Sequence, residues 1–136
     1  MRRSVAAALA AAGALTSALC AAPVANATPA PPYVDHVEWA KWGDLSSLRV
    51  YPTAAGRSAS GPAVYGPAEQ AWAEVLAQSP DADIPGMKPQ FLCHWEYAEL
   101  GYPGKTSWNL EPWRPEVSYQ EMLEAGCNPG GTEEPF

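Results

Sequence analysis

The chain has 136 residues, of which 8 are basic and 15 acidic, so its formal net charge at pH 7 is −7. Nucleic acids and anionic membrane surfaces are bound through clusters of Lys and Arg, and this composition excludes both as partners. The length is that of one domain with a modest core, which a covalent crosslink would help to stabilise.

The first 27 residues have the pattern of a secretory signal peptide. Arg2 and Arg3 precede an apolar run over residues 5–19, and small residues at 25–27 form a cleavage site. The run is shorter than the roughly 20 residues that span a bilayer. We therefore predict export, a secreted or cell-envelope location and no stable membrane insertion after cleavage. The cleaved chain loses only Arg2 and Arg3 among its charged residues, so its net charge becomes −9.

The remaining residues divide into three parts on composition. Residues 28–33, "TPAPPY", read as an extended linker, and residues 130–136, "GGTEEPF", read as a flexible tail. Both are rich in residues that favour extended or mobile backbone. Residues 34–129 are expected to form a single globular domain.

A β-hairpin is predicted over residues 34–51. Val37 and Trp39 alternate with Glu38 and Ala40 in "VDHVEWAKW". In "SSLRVYPT", Leu48 and Val50 face one way and their neighbours Arg49 and Tyr51 face the other. This period of two is typical of half-buried strands. The Gly43-Asp44 step between the two segments is a turn signal, so we expect the strands to pair antiparallel.

Helices are expected in the second half of the chain. After a predicted loop over residues 54–66, "GPAEQAWAEVLAQSP" has an apolar stripe at helical spacing and a proline where the first turn tolerates one. Residues 87–100 fit either helical or strand periodicity, and the flanking Pro85-Gly86 and Gly101 favour a helix. A last helix is predicted from Pro115, with Tyr119, Met122 and Leu123 on its inner face. The fold class is therefore α+β: a short antiparallel sheet packed against two or three helices.

Two cysteines, Cys93 and Cys127, remain after signal cleavage removes Cys20. In an oxidising compartment such a pair is expected to form a disulfide. The bond would close a loop of about 34 residues and stabilise the fold by roughly 3–4 kcal/mol. The alternative is a free or nucleophilic thiol, for which Cys93 beside His94 is the candidate.

Three blocks of the sequence, "GMKPQFLCHW", "SWNLEPWRP" and "GCNPG", together resemble a family of small exported actinobacterial proteins, the domain of unknown function numbered 2599. The similarity extends over roughly Trp39 to Pro129. The resemblance implies a secreted or envelope-associated domain that contains the Cys93 and Cys127 pair. It implies no activity, ligand or catalytic residue.

The segment "WNLEPWR" has two interpretations. In an extended chain Trp108 and Leu110 share one face, while Asn109 and Glu111 point to the other. The segment either fills the core, with Glu111 paired to Arg114 or another base, or forms one wall of a ligand site. An extracellular protein, peptide or glycan would then be the partner. The ligand-binding residues of that second hypothesis are His94, Asn109, Glu111, Trp113 and Arg114.

A small secreted hydrolase is the alternative function. Glu111 would act with His94 or Glu96, since a histidine–carboxylate or a carboxylate pair can move protons near neutral pH. The sequence has no G-x-S-x-G elbow, no phosphate-binding loop and no zinc-ligand spacing. We therefore expect no cofactor or metal and favour a non-enzymatic binding module at or outside the cell envelope.

Overall fold

The computed structural model describes residues 20–22 and 27–131. Most of the predicted signal peptide and residues 132–136 of the predicted tail lie outside the described residues. In the described part, no helix combines the length and the apolarity needed to cross a membrane. The elements in chain order are β1 (Val34–Trp42), β2 (Leu45–Pro52), α1 (Ala54–Ala59), α2 (Tyr65–Gln78), a 3₁₀ turn (Pro80–Ala82), α3 (Met87–Gly101), β3 (Trp108–Leu110) and α4 (Tyr119–Glu124).

The sheet has three antiparallel strands in the order β1-β2-β3. The predicted hairpin is confirmed, with Trp39 opposite Leu48 across the strand pair. Its turn places Gly43 at a φ of +56°, which glycine adopts without steric cost. The sequence predicted extended backbone near Trp108 but not its pairing with β2, where Leu48 lies opposite Leu110. The α+β fold class is confirmed.

The core lies between the inner face of the sheet and helices α2 and α3. Leu48 and Val50 of β2 are fully buried there. The rings of Trp95 and Trp108 meet edge to face with centroids 6.1 Å apart, and Phe91 lies beside both. Large buried side chains of this kind each stabilise a fold by about 1.5–3 kcal/mol. The packing of these rings therefore holds β3 and the residues that follow it against α3.

Helix α3 confirms the helical interpretation of residues 87–100. It begins after Gly86, whose φ of +88° lies in the left-handed region that favours glycine. Met87, Phe91 and Trp95 follow each other at four-residue spacing and are at most 1% exposed. Cys93 lies on a different face of the same helix and packs in a second, smaller core cluster with Met122. The strand-like alternation in the sequence thus comes from two buried faces of one helix.

The predicted loop over residues 54–66 and the start of the last predicted helix need correction. Residues 54–59 form the short helix α1 where composition indicated a loop, because the Thr53 hydroxyl accepts a hydrogen bond from the Gly56 amide and caps it. Helix α4 begins at Tyr119 rather than at Pro115. Ser118 and Glu121 form a capping box that sets this start, and Tyr119 is consequently 60% exposed instead of facing inward.

The disulfide between Cys93 and Cys127 is present, with the two Cα atoms 5.6 Å apart, which confirms that prediction. It joins the middle of α3 to the residue that follows α4 and Gly126. At the other end of the domain, Tyr33, which the sequence placed in the linker, is 5% exposed and meets Trp95 edge to face. Packed structure therefore begins at Tyr33.

Candidate functional site

The side chains of the "WNLEPWR" segment alternate between two faces, as the sequence predicts. Trp108 and Leu110 are buried in the core, and Asn109 lies on the other face of the sheet, opposite Arg49. The Asn109 side-chain oxygen accepts a hydrogen bond of 2.7 Å from the Ser107 hydroxyl. Asn109 is only 9% exposed, so little of its amide reaches solvent.

Glu111 is the centre of a buried polar cluster, here called the Glu111 cluster: Ser47, Gln90, Glu111 and Arg114. One carboxylate oxygen of Glu111 accepts from the Ser47 hydroxyl at 3.0 Å, and the other accepts from Arg114 Nε at 2.7 Å. The Gln90 side-chain amide both donates to the Glu111 carbonyl and accepts from the Glu111 N–H, at 2.9 Å each. Glu111 is 1% exposed, so this carboxylate is satisfied within the chain.

Arg114 extends the cluster towards the C-terminal segment. Its Nη1 donates to the carbonyl oxygens of Pro129 and Gly131 at 3.0 and 3.1 Å. The guanidinium carbon lies 4.6 Å from the centre of the Trp113 ring, and the Trp113 indole N–H donates to the Ser46 carbonyl. Arg114 therefore covers one face of the ring that the ligand hypothesis uses as a stacking platform. These contacts support the core-filling interpretation of the segment, while ligand binding by its residues stays a prediction.

His94 borders a cavity whose lining residues do not include Glu111. It is 5% exposed, and its Nδ1 donates to the Gln90 carbonyl 2.8 Å away, one turn earlier in α3. The cavity has a volume of about 240 Å³ and is called the His94 pocket. Tyr97, Tyr102, Lys105 and Cys127 are among its other lining residues.

A larger cavity of about 500 Å³ lies on the other side of the disulfide, between α3 and α4. Tyr65 and Tyr119 stand at this cavity and are 67% and 60% exposed. Cys93 and Met122, both buried, also line it. We call this cavity the tyrosine groove; its remaining lining residues are Pro89, Leu92, Glu96 and Val117.

Among the residues that the structure describes, Glu96 is the one acidic residue that lines the tyrosine groove, and it is half-buried. Its Oε2 accepts a hydrogen bond of 2.7 Å from the Tyr119 hydroxyl. Because that hydroxyl has one proton, the Tyr97 hydroxyl 3.0 Å away is the donor to Tyr119. The contact with Tyr97, and then the contact with Glu96, raise the pKa of Tyr119 above its ordinary value. This chain of hydrogen bonds holds the Tyr119 ring at the side of the groove.

The residues of the hydrolase alternative are therefore distributed over three places. Glu111 is in the core, Glu96 is in the tyrosine groove and His94 borders the His94 pocket. The described cavities do not bring Glu111 to a common surface with either partner. Within residues 20–22 and 27–131, no group of three or more His, Cys, Asp or Glu side chains is placed to hold a metal ion.

Sequence reasoning missed Tyr65 and Leu92 as site residues and treated Tyr119 as part of the core. A signal was available in α3, since Pro89, Leu92, Cys93 and Glu96 recur at spacings of three and four on one face. That face is not the one that packs on the sheet. This second face of α3 therefore indicated that another part of the chain, or a ligand, covers it.

The geometry defines a small, disulfide-bonded α+β domain with cavities on both sides of its disulfide. A family model described as "Protein of unknown function (DUF2599)" matches residues 34–130, and the chain belongs to this family. The resemblance noted in the sequence is thereby confirmed.

Relatives are found in mycobacteria. The chain is 62% identical over 106 residues to uncharacterized proteins of Mycobacterium tuberculosis and Mycobacterium bovis, which covers 78% of this chain and 72% of theirs. It is 45% identical over 102 residues to an uncharacterized protein of Mycobacterium leprae, which covers 75% of this chain and 83% of that protein. No solved structure matches the chain.

Proposed function

We propose that this protein is an exported, non-enzymatic binding domain that acts at or outside the cell envelope. Its partner is an extracellular protein that places a short peptide segment in the tyrosine groove. Export is supported by the signal-like pattern of residues 1–27 and by the disulfide, since disulfides persist mainly in oxidising compartments.

The observation that carries the proposal is the exposure of two tyrosines beside an apolar groove. Tyr65 and Tyr119 expose 67% and 60% of their surface next to Leu92 and Val117. A tyrosine ring is large and stiff and has one polar atom, which is why tyrosine is enriched where proteins bind each other. Isolated exposed rings need no explanation, but rings that border a concave apolar surface are typical of a binding site.

The size and polarity of the groove favour a peptide over a glycan. Its volume of about 500 Å³ is in the range of sites for small ligands and holds only a few side chains. Most of the described side chains that line it are apolar, and Glu96 supplies the one carboxylate among them. A sugar would bury many hydroxyl groups against such a surface without partners, at a cost for each.

The proposal is tested by selecting a displayed random-peptide library on the purified, oxidised protein. Tyr65→Ser removes one ring from the groove. Tyr102→Ser is its matched control, because Tyr102 is also 67% exposed but lines the His94 pocket instead. Truncation of an aromatic contact in a binding site costs more than about 1 kcal/mol. We therefore expect affinity for the selected peptides to fall about tenfold or more in Tyr65→Ser and to stay unchanged in Tyr102→Ser.

Equal loss in both variants, or loss in neither, would place the site elsewhere and overturn the proposal. The same two variants are tested against soluble peptidoglycan fragments. Binding of those glycans together with an absence of enriched peptides would overturn the peptide assignment.

A further inference from the structure

We infer that the tyrosine groove recognises a positively charged side chain, the ammonium of lysine or the guanidinium of arginine, with Glu96 as its counter-ion. This inference rests on the proposed function and adds the chemistry of the ligand to it.

The first argument is the state of the Glu96 carboxylate. The ion pairs among the described residues use Asp35, Glu69, Glu99 and Glu111 as their acidic members, and none uses Glu96. The hydrogen bond that Glu96 receives comes from the neutral Tyr119 hydroxyl. A carboxylate can accept about four hydrogen bonds, so one bond leaves most of its capacity for a ligand.

Second, aromatic and apolar side chains line the groove beside the Glu96 carboxylate. Tyr65 and Tyr119 line the same groove as Glu96. Aromatic faces attract cations through their negative quadrupole, and a half-buried carboxylate attracts them more strongly than an exposed one because less water screens it. Apolar residues such as Leu92 and Val117 suit the methylene stem of a lysine or arginine, which prefers apolar contact while its head is charged.

The third argument is the charge of the whole chain. It carries 15 acidic and 8 basic residues, and its surface potential therefore attracts basic partners from a distance. Lys88, the residue before Pro89 of the groove, is already paired with Glu69 at 2.8 Å. The charge of the chain as a whole therefore favours a cationic peptide over an acidic one.

The test uses two small probes with the same four-carbon side chain, N-acetyl-lysine-methylamide, which ends in an ammonium group, and N-acetyl-norleucine-methylamide, which lacks it. Their binding is followed by NMR shifts of Tyr65 and Tyr119. In Glu96→Gln the amide oxygen can still accept the Tyr119 hydrogen bond, so the groove keeps its shape while it loses its charge. Glu124→Gln is the control, because it changes net charge by the same amount on exposed α4.

We expect the lysine probe to bind wild-type protein and Glu124→Gln alike and to bind Glu96→Gln about tenfold more weakly. The norleucine probe should bind all three proteins weakly and equally. Equal binding of both probes to the wild type, or equal weakening by the two glutamine substitutions, would overturn the inference. If peptides bind in the groove through apolar side chains alone, the proposed function would stand and the cationic ligand would be ruled out.

Discussion

The Glu111 cluster and the tyrosine groove each contain a glutamate that the sequence singled out, and the two glutamates differ in how they are satisfied. Glu111 receives hydrogen bonds from Ser47 and Arg114 and is 1% exposed. Glu96 receives one from Tyr119 and faces a cavity. A buried carboxylate with charged and neutral donors from its own chain belongs to the fold. A carboxylate with acceptor capacity left over beside exposed aromatic rings is available to a partner.

The difference predicts that stability and binding separate between the two regions. The Glu111 cluster ties β2, α3, β3 and the C-terminal segment together through buried polar contacts. The tyrosine groove contributes little buried area through Tyr65 or Tyr119. Substitutions in the first region should unfold the protein, and substitutions in the second should leave it folded and unable to bind.

The largest effect is expected for Arg114→Met. It leaves the Glu111 charge buried without its partner and removes the donor to Pro129 and Gly131, at a cost of about 3–5 kcal/mol in the free energy of unfolding. Lys88→Met is the matched control, because it breaks an exposed ion pair worth less than about 1 kcal/mol. Urea unfolding measures both. Similar midpoints for the two variants would mean that the cluster does not hold the fold together.

Removal of the disulfide comes next. The double variant Cys93→Ala with Cys127→Ala should lose about 3–4 kcal/mol, because the bond closes a separation of 34 residues. Since Cys93 lines the tyrosine groove, we also expect weaker peptide binding at temperatures where the variant is still folded. The oxidised protein should show no reactive thiol at these two positions before reduction. Alkylation of Cys93 or Cys127 without a reductant would contradict the pairing.

Loss of the α4 cap should have a smaller effect. Ser118→Ala removes the side-chain acceptor for the Glu121 amide and should cost about 1 kcal/mol. Ser118→Asp keeps an acceptor at the helix start and should restore stability. Thermal unfolding checks both variants. If Ser118→Ala also weakens peptide binding and Ser118→Asp recovers it, the position of Tyr119 at the groove depends on this cap.

The groove substitutions Tyr65→Ser and Glu96→Gln should change the free energy of unfolding by no more than about 0.5 kcal/mol, because Tyr65 is 67% exposed and an amide in place of the Glu96 carboxylate can still accept the Tyr119 hydrogen bond. The measurement is the same urea titration that is used for Arg114→Met. A loss comparable to that of Arg114→Met would show that the groove is part of the core and would remove the distinction between the two regions.

The smallest effect concerns the titration of Tyr119. Its pKa is raised, first by the contact with Tyr97 and then by the contact with Glu96, so Tyr119 should ionise at a higher pH than a free phenol. Because the folded state holds the Tyr119 proton more tightly than the unfolded state does, the raised pKa stabilises the fold. This stabilisation is complete below the ordinary phenol pKa and is lost as pH rises through the pKa that Tyr119 has in the folded protein. The Tyr119 ring signals in an NMR pH titration of wild type and Tyr97→Phe check this, and the same Tyr119 midpoint in both proteins would contradict it.

The hairpin and helix α3 were predictable because the sequence patterns that indicate them lie within each element. The hairpin follows from alternation around Gly43, and α3 follows from periodicity between Gly86 and Gly101. The pairing of β3 with β2 was not predictable in this way, since it joins residues about 60 positions apart. Helix α1 was missed because its stability comes from the Thr53 cap rather than from its Ala-Ala-Gly composition.

The candidate site was harder to predict for a related reason. Polar residues in "WNLEPWR" indicated a ligand surface, but their partners are far away in the chain: Ser47 is 64 residues from Glu111, and Gln90 is 21 residues from it. A sequence shows that a side chain is polar and does not show whether the fold already satisfies it. The groove was missed because it forms only when α4, tied down by Cys127, lies along the second face of α3.

The most direct test of the account is an NMR titration of the oxidised protein with a peptide obtained from the library selection. The account predicts shift changes concentrated at Tyr65, Leu92 and Tyr119, with the resonances of Glu111 and Arg114 unmoved. Changes confined to Asn109, Trp113 and Arg114 would contradict it, because the partner would then bind the segment that is assigned here to the fold.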